Sequence, residues 1–192
     1  MPTGARVLAV EPLAEMRAQL HDAVAGVEVL AGSAEELPLA DASVDALTAA
    51  AAFHWFEPAH AYPELHRVLR PGGLLAVVGN HRDLDDPLQA AVQEIVGGLV
   101  PKLRELASWR TDLAASGLFE PVDAFHTEHE QLVDADGLAE RIGTISYVAR
   151  LDDEERPQVL ERVRALGEAQ AEQVFAFRYR SDAYVFRRRD AD

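Results

Sequence analysis

The chain is 192 residues long and 48% apolar, enough for one compact domain with a sizeable core, so wholesale disorder is excluded. Eighteen lysines and arginines stand against 33 aspartates and glutamates, a formal charge of −15, which disfavours duplex nucleic acid and anionic membranes as partners. Cysteine is absent, which removes disulfides, thiolate nucleophiles and cysteine-based zinc sites together.

Residues 1–6 carry no apolar signal core and no window approaches 18 uninterrupted apolar residues, so neither secretion nor a membrane span is expected and a cytoplasmic enzyme fits best. Lys102 is the single lysine, and the bias to arginine suggests a GC-rich bacterial genome. The basic run Arg187-Arg188-Arg189 reads as a solvated strand end.

Residues 6–10 form a short apolar run of the kind that becomes a strand buried on both faces, and Glu11-Pro12 opens a helix over 12–20 with proline at its first position. Val27 to Leu30 reads as a second strand, Gly32 to Pro38 as a polar loop, and the alanine-rich stretch Val44 to Ala52 as a third strand. Ala61, Leu65, Val68 and Leu69 then form one helical stripe. That helix is expected to stop at Arg70-Pro71-Gly72-Gly73, with Arg70 at the negative end of its dipole, before a fourth strand from Leu74 to Val78.

Leu88, Ala91, Val92, Ile95 and Leu99 make a further stripe ended by Pro101, and a short helix around Asp112 stops at Gly117. Residues 121–130 read as a strand. Leu138, Ile142, Ile145 and Ala149 repeat at helical spacing behind Asp134 and Asp136, and Asp152-Asp153 can cap a helix carrying Val159, Val163 and Leu166. Phe175 to Arg187 closes the chain as a strand at or near the sheet edge. The fold class is α/β: a mostly parallel sheet with an antiparallel closing strand. We expect a single domain over 1–192, with 134–170 a helical, lid-like segment within it.

In open α/β sheets ligands bind beyond the C-terminal ends of the strands, so Glu11, Ser33-Ala34-Glu35, Ala51 to Phe56 and Asn80 are the positions to examine. A carboxylate there can accept from both hydroxyls of a ribose, which singles out Glu11; it can equally complement a helix N-terminus.

Four stretches, in this order and spacing, resemble class I S-adenosylmethionine-dependent methyltransferases of the small-molecule group, among them the ubiquinone-biosynthesis and trans-aconitate methyltransferases. They are Val7 to Pro12 with Met16, Gly32 to Pro38 running into Ser43-Val44-Asp45, Ala52 to Phe56, and Glu64 to Arg67 with Val68 to Gly73. The resemblance covers residues 5–80; beyond it, only element order and Arg178 to Asp182 agree. It implies a Rossmann-like sheet with S-adenosylmethionine as cofactor. Glu11 and Pro12 would then meet the ribose, Ser33, Ala34 and Glu35 the adenine, and Ala51 and Ala52 the methionine end. His54, Trp55, Asn80 and Tyr147 would face a small-molecule methyl acceptor. Relatives often carry aspartate at the slot of Ser33 and glutamine at that of Ala51.

The family opens on a strand and a glycine-rich turn in mid-sheet, for which these residues offer no counterpart; the pairs Gly72-Gly73 and Gly97-Gly98 cannot replace it. The resemblance therefore implies a missing first β–α unit and weak cofactor affinity. It also implies that the strands at 6–10 and 44–52 do not pair with each other in the ordinary way. Methyl transfer is in-line displacement from a sulfonium, so a general base is needed only where the acceptor must lose a proton, and His54 is the candidate. The alternatives are a non-catalytic fragment or pseudoenzyme of the family, and a nicotinamide-dependent dehydrogenase. His126 and His129 point to opposite faces of a strand and no metal is expected; Asp83, Asp85 and Asp86 read as loop and capping residues. Oligomeric state is open.

Overall fold

The computed structural model describes residues 4–99 and 108–190; Pro101, expected to end a helix, lies outside them. In chain order the elements are β1 (Val7–Glu11), α1 (Ala14–Ala23), β2 (Val27–Ala31), β3 (Val44–Ala50), α2 (Pro58–Val68), β4 (Leu69–Arg82) and α3 (Pro87–Val96). They continue with α4 (Ser108–Ala115), β5 (Phe119–Val133), α5 (Ala135–Gly143), α6 (Ser146–Ala149), α7 (Glu155–Glu168) and β6 (Phe175–Arg188). Together they make an α/β fold. The chain divides into two compact units: Met1–Val77, Leu106–Asp123 and Tyr184–Asp192 form the first, Val78–Glu105 and Ala124–Ala183 the second.

In the first unit β1 and β2 pair in parallel, Val7 opposite Val27 through Glu11 opposite Ala31. They form a two-stranded sheet, while the other strands follow the order β3-β4-β6-β5 in a separate sheet. β1 and β3 therefore do not pair, in agreement with the expectation, and each has hydrogen-bonded strand neighbours on one side only among the described residues. The expectation that β1 is buried on both faces is corrected for the same reason. Val7 is 49% exposed, and neither β1 nor α1 contains a buried residue.

The core of this unit is built on α2, whose buried Ala61, Leu65 and Val68 fall on one face and meet Leu69, Leu75 and Val77 of β4. Each such leucine or valine withdrawn from water contributes about 1.5–3 kcal/mol. Phe53 seals the cluster, its ring 5.1 Å from those of Phe56 and Trp109. Two boundaries differ from the sequence reading. Pro12 stands outside α1, because Leu13 is the extended cap residue. β4 begins at Leu69, directly after α2, and Arg70 pairs with Asp45 of β3 rather than complementing the helix end.

The second unit packs α3, α5, α6 and α7 with the remaining strand segments, around Val92, Leu138, Ile142, Val163 and Phe177. Asp86 caps α3 by accepting from Gln89 N–H at 3.0 Å, and Asp134 caps α5 by accepting from Gly137 N–H at 2.8 Å. The single helix expected over Leu138 to Ala149 breaks into α5 and α6, with Thr144 as the C-cap of the one and Ile145 as the extended N-cap of the other. β6 is next to the edge strand β5.

A clamp on α2 fixes the loop between β2 and β3. Arg67 grips Glu64 with two donors, Nε to Oε1 at 2.7 Å and Nη2 to Oε2 at 2.8 Å. Its remaining donors reach the Leu39 carbonyl at 2.8 Å, the Asp41 carboxylate at 2.7 Å and the Leu37 carbonyl at 3.2 Å. Glu64 Oε2 also accepts the Leu37 N–H at 3.0 Å. The Arg67 hydrogen bond is the main reason that the Glu64 carboxyl is held below its ordinary range, against a smaller opposing effect of burial.

Because the folded-state value is depressed, this stabilisation is present above the unfolded carboxylate pKa of about 4.3 and is lost as pH falls through the folded value. In urea unfolding, Arg67→Ala is expected to cost about 1–2 kcal/mol at neutral pH. Between pH 5 and 3 the wild-type chain should lose more stability than Glu64→Gln; parallel losses would contradict the clamp. Ala51, which follows β3, adopts a left-handed φ of +50° that disfavours any residue with a Cβ. Ala51→Gly should therefore raise stability by about 0.5–1 kcal/mol, whereas a loss of stability would show that the strain is not there.

Candidate functional site

β1 ends in Glu11, whose carboxylate Oε1 accepts the Leu13 N–H at 2.9 Å at the start of α1. Arg17 ties the same corner from the helix, donating to the carbonyls of Glu11 and Pro12 at 2.8 Å each. Glu11 thus does complement a helix start, and its second oxygen, Oε2, is left over from that bond.

After β2 the chain forms a tight loop in which Ser33 and Glu36 make an antiparallel bridge. The Ser33 hydroxyl accepts the Glu35 N–H at 3.3 Å, so it serves the loop itself. Glu35 Oε1 accepts the Glu57 N–H at 2.9 Å, tying this loop to the residue that caps α2. Burial acts to raise the Glu35 carboxyl, but the hydrogen bonds from Glu57 and Ser33 outweigh it and leave it below the usual carboxylate range. Between them Ala34 rests on the same core cluster as Val10 and Phe56.

After β3, Ala51 and Ala52 lead into a single 3-10 turn, Phe53–Trp55. Phe53 points into the core and is 5% exposed, whereas Trp55 is 48% exposed. His54 is half-buried, its ring 4.9 Å from that of Trp55, and burial lowers its pKa from the ordinary histidine value. A neutral imidazole at physiological pH follows, which is the form a proton acceptor needs.

Asn80 and Tyr147 belong to the second unit. Asn80 Oδ1 accepts the Ser181 hydroxyl at 2.6 Å, and the Tyr147 hydroxyl accepts from Arg82 at 3.3 Å. His126 lies 2.8 Å from the Asp182 carboxylate and His129 lies 3.2 Å from the Ser181 hydroxyl, so the two histidines serve different neighbours as their spacing requires. No group of three or more histidine, aspartate or glutamate side chains suited to a metal occurs among the described residues. None of the helices described is long and apolar enough to cross a membrane.

The structure thus draws Glu11, the Ser33 to Glu35 loop and the Ala51 to His54 turn into one unit. Sequence reading did not find the Glu64–Arg67 clamp or the Glu35–Glu57 link. The i, i+3 acid–base pair on α2 was the available signal for the first; the second runs to a backbone N–H, which no side-chain pattern reports.

Residues 1–77 match the family model described as a methyltransferase domain. An uncharacterized methyltransferase of Mycobacterium tuberculosis strain H37Rv is 36% identical over 163 residues, 85% of this chain and 65% of the relative. The chain therefore spans just under two thirds of that relative's length. Trans-aconitate 2-methyltransferase of an Azoarcus species is 31% identical, covering 84% of this chain and 68% of the relative. Among solved structures, the one described as a type II methyltransferase from Anaeromyxobacter dehalogenans superposes with a TM-score of 0.64 at 27% identity, covering 96% of this chain and 80% of that one. By these matches the chain belongs to the class I S-adenosylmethionine-dependent methyltransferase family.

Proposed function

We propose that the protein binds S-adenosylmethionine through its first unit and transfers the methyl group to a small molecule. The observation that carries this reading is the convergence of three successive strand ends, with the second tied to the segment after the third by the Glu35–Glu57 hydrogen bond. The donor set fits a nucleoside: Glu11 Oε2 is an acceptor suited to ribose hydroxyls, and Ala34, held by a pinned loop, offers a small apolar surface to a base. Glu35 is committed to the loop through Oε1, so Ala34 is the better partner for the adenine ring. Ala51 and Ala52 supply no side-chain donor, which leaves backbone groups to meet the amino-acid end.

When bound, the cofactor supplies a methyl group made electrophilic by the positive sulfonium that carries it. The chain contributes alignment and exclusion of water. His54, neutral by virtue of its burial, takes a proton from an acceptor that must lose one, and Trp55 flanks that acceptor. Asn80 and Tyr147 are assigned to acceptor binding within the second unit in this proposal, and residues 134–170 to a lid-like segment of that unit.

Titration of the ¹⁵N-labelled chain with S-adenosylhomocysteine should shift amide signals of Glu11, Ala34 and their neighbours. Glu11→Ala should weaken that binding about tenfold or more, the loss of a charged hydrogen-bond pair. No shifts at millimolar ligand, or equal affinity in the variant, would contradict the cofactor assignment. With an acceptor that must release a proton, His54→Gln should lower kcat by about 10²–10⁴. The acid limb of the wild-type pH–rate profile should fall below pH of about 6.5, because burial depresses the histidine; unchanged kcat in the variant would remove His54 from proton transfer.

A further inference from the structure

β5 is the outermost strand of its sheet, bonded to β6 on one side only among the described residues. Within the second unit every residue of this strand from Phe125 to Leu132 is exposed, so no described segment lies over it. An open sheet edge is a row of backbone donors and acceptors ready to receive another strand, and proteins usually guard it with lysine, proline or a very short strand. From Val122 to Val133 β5 has neither lysine nor proline, the strand is 15 residues long, and Phe125 on it is 58% exposed.

A two-fold axis normal to the sheet sets β5 antiparallel to the β5 of a second copy. Only residues on the same face then stand opposite each other, so the register must centre on a residue. Centred on Thr127, threonine faces threonine, Phe125 faces His129, His126 faces Glu128 and Ala124 faces Glu130 of the second copy. By symmetry each unlike pair occurs twice, and aromatic, hydroxyl and charge-complementary pairs of this kind stabilise antiparallel ladders. Moving the centre destroys the match. On His126 two imidazoles face each other, on Glu128 two carboxylates do, and on His129 Glu128 faces Glu130. Both histidines are held from β6, which reduces the side-chain freedom lost on pairing. His126 lies 2.8 Å from the Asp182 carboxylate, and His129 lies 3.2 Å from the Ser181 hydroxyl with its ring stacked 5.1 Å from that of Tyr179.

We propose that the β5 edge joins two copies of this chain, antiparallel and centred on Thr127. This interface is independent of the cofactor reading. The test is sedimentation velocity of the full chain at about 100–500 µM, because so short a ladder belongs with the weak interfaces. Salt of about 0.15 M limits the repulsion between two chains of charge −15, since it screens beyond about 8 Å. A species of twice the 21.0 kDa chain mass should form. Thr127→Glu and Thr127→Lys each set like charges opposite one another at the axis and should raise the dimer dissociation constant about fivefold or more. An equimolar mixture of the two variants should dimerise again.

The chain contains no cysteine, so a single introduced one reports the register without competition. Opposite residues of an antiparallel pair lie about 4.5–5.5 Å apart between Cα atoms, within reach of a disulfide. Oxidised Thr127→Cys should therefore run as a covalent dimer on a denaturing gel. Glu130→Cys should not, because its two copies stand six residues out of step, about 20 Å apart. These two variants introduce no charge and keep the test decisive where a charged variant fails to fold by circular dichroism. A monomer throughout the concentration range, no cross-link in Thr127→Cys, or equal cross-linking of both cysteine variants would overturn the proposal. A dimer unmoved by Thr127→Glu would overturn it too, by placing the contact at another edge such as that of β1 or β3.

Discussion

At one end of the loop between β2 and β3 the Glu35 carboxylate accepts the Glu57 N–H; further along, Glu64 and Arg67 grip the Leu37 N–H and the carbonyls of Leu37 and Leu39. Every proposed role in the first unit leans on this pinning. Ala34 can face a base only if the loop that carries it is fixed relative to the strand ends on either side. The gripping groups are ionised at neutral pH and most of the gripped atoms are backbone atoms, so the loop is held by charge-assisted bonds from α2 together with its own Glu35 and Asp41. A loop of apolar contacts would leave its polar backbone unsatisfied; this one satisfies much of it with two acids and an arginine from α2 and the loop itself.

β1, α1 and β2 are held more lightly. This strand–helix–strand segment has one parallel ladder, a few exposed polar links and partial burial, and α1 buries nothing fully. By contrast α2 and β4 place several fully buried apolar side chains against each other. Low burial with one-sided pairing puts β1 to β2 at the readily opened end of the stability range, and Glu11 stands on that segment. A weak cofactor grip is the physical expectation for a ribose-binding carboxylate mounted on so lightly covered a strand, even though its corner is braced by Arg17.

Much of this was legible in the sequence. The apolar stripe of α2, the caps Asp86 and Asp134, and the strands around Val29, Leu47 and Val77 follow from period and turn chemistry, which act over a few residues. The motif order from Val7 to Gly73 named the family. What failed was burial in β1, because an apolar run states that a strand wants cover and not whether a neighbour supplies it. The break between α5 and α6 was missed because Ile145 keeps the apolar period through a residue whose backbone leaves the helix. The clamp was half visible: Glu64 and Arg67 belonged to a recognised stretch, but their targets are backbone groups of a distant loop.

The account stands on the Glu11 carboxylate as the anchor for a sugar ring. A crystal structure of the chain with S-adenosylhomocysteine tests this most directly. Both ribose hydroxyls should lie about 2.5–3.0 Å from that carboxylate, with the base against Ala34. A nucleoside seated elsewhere, with Glu11 still engaged only by the Leu13 N–H, would contradict it.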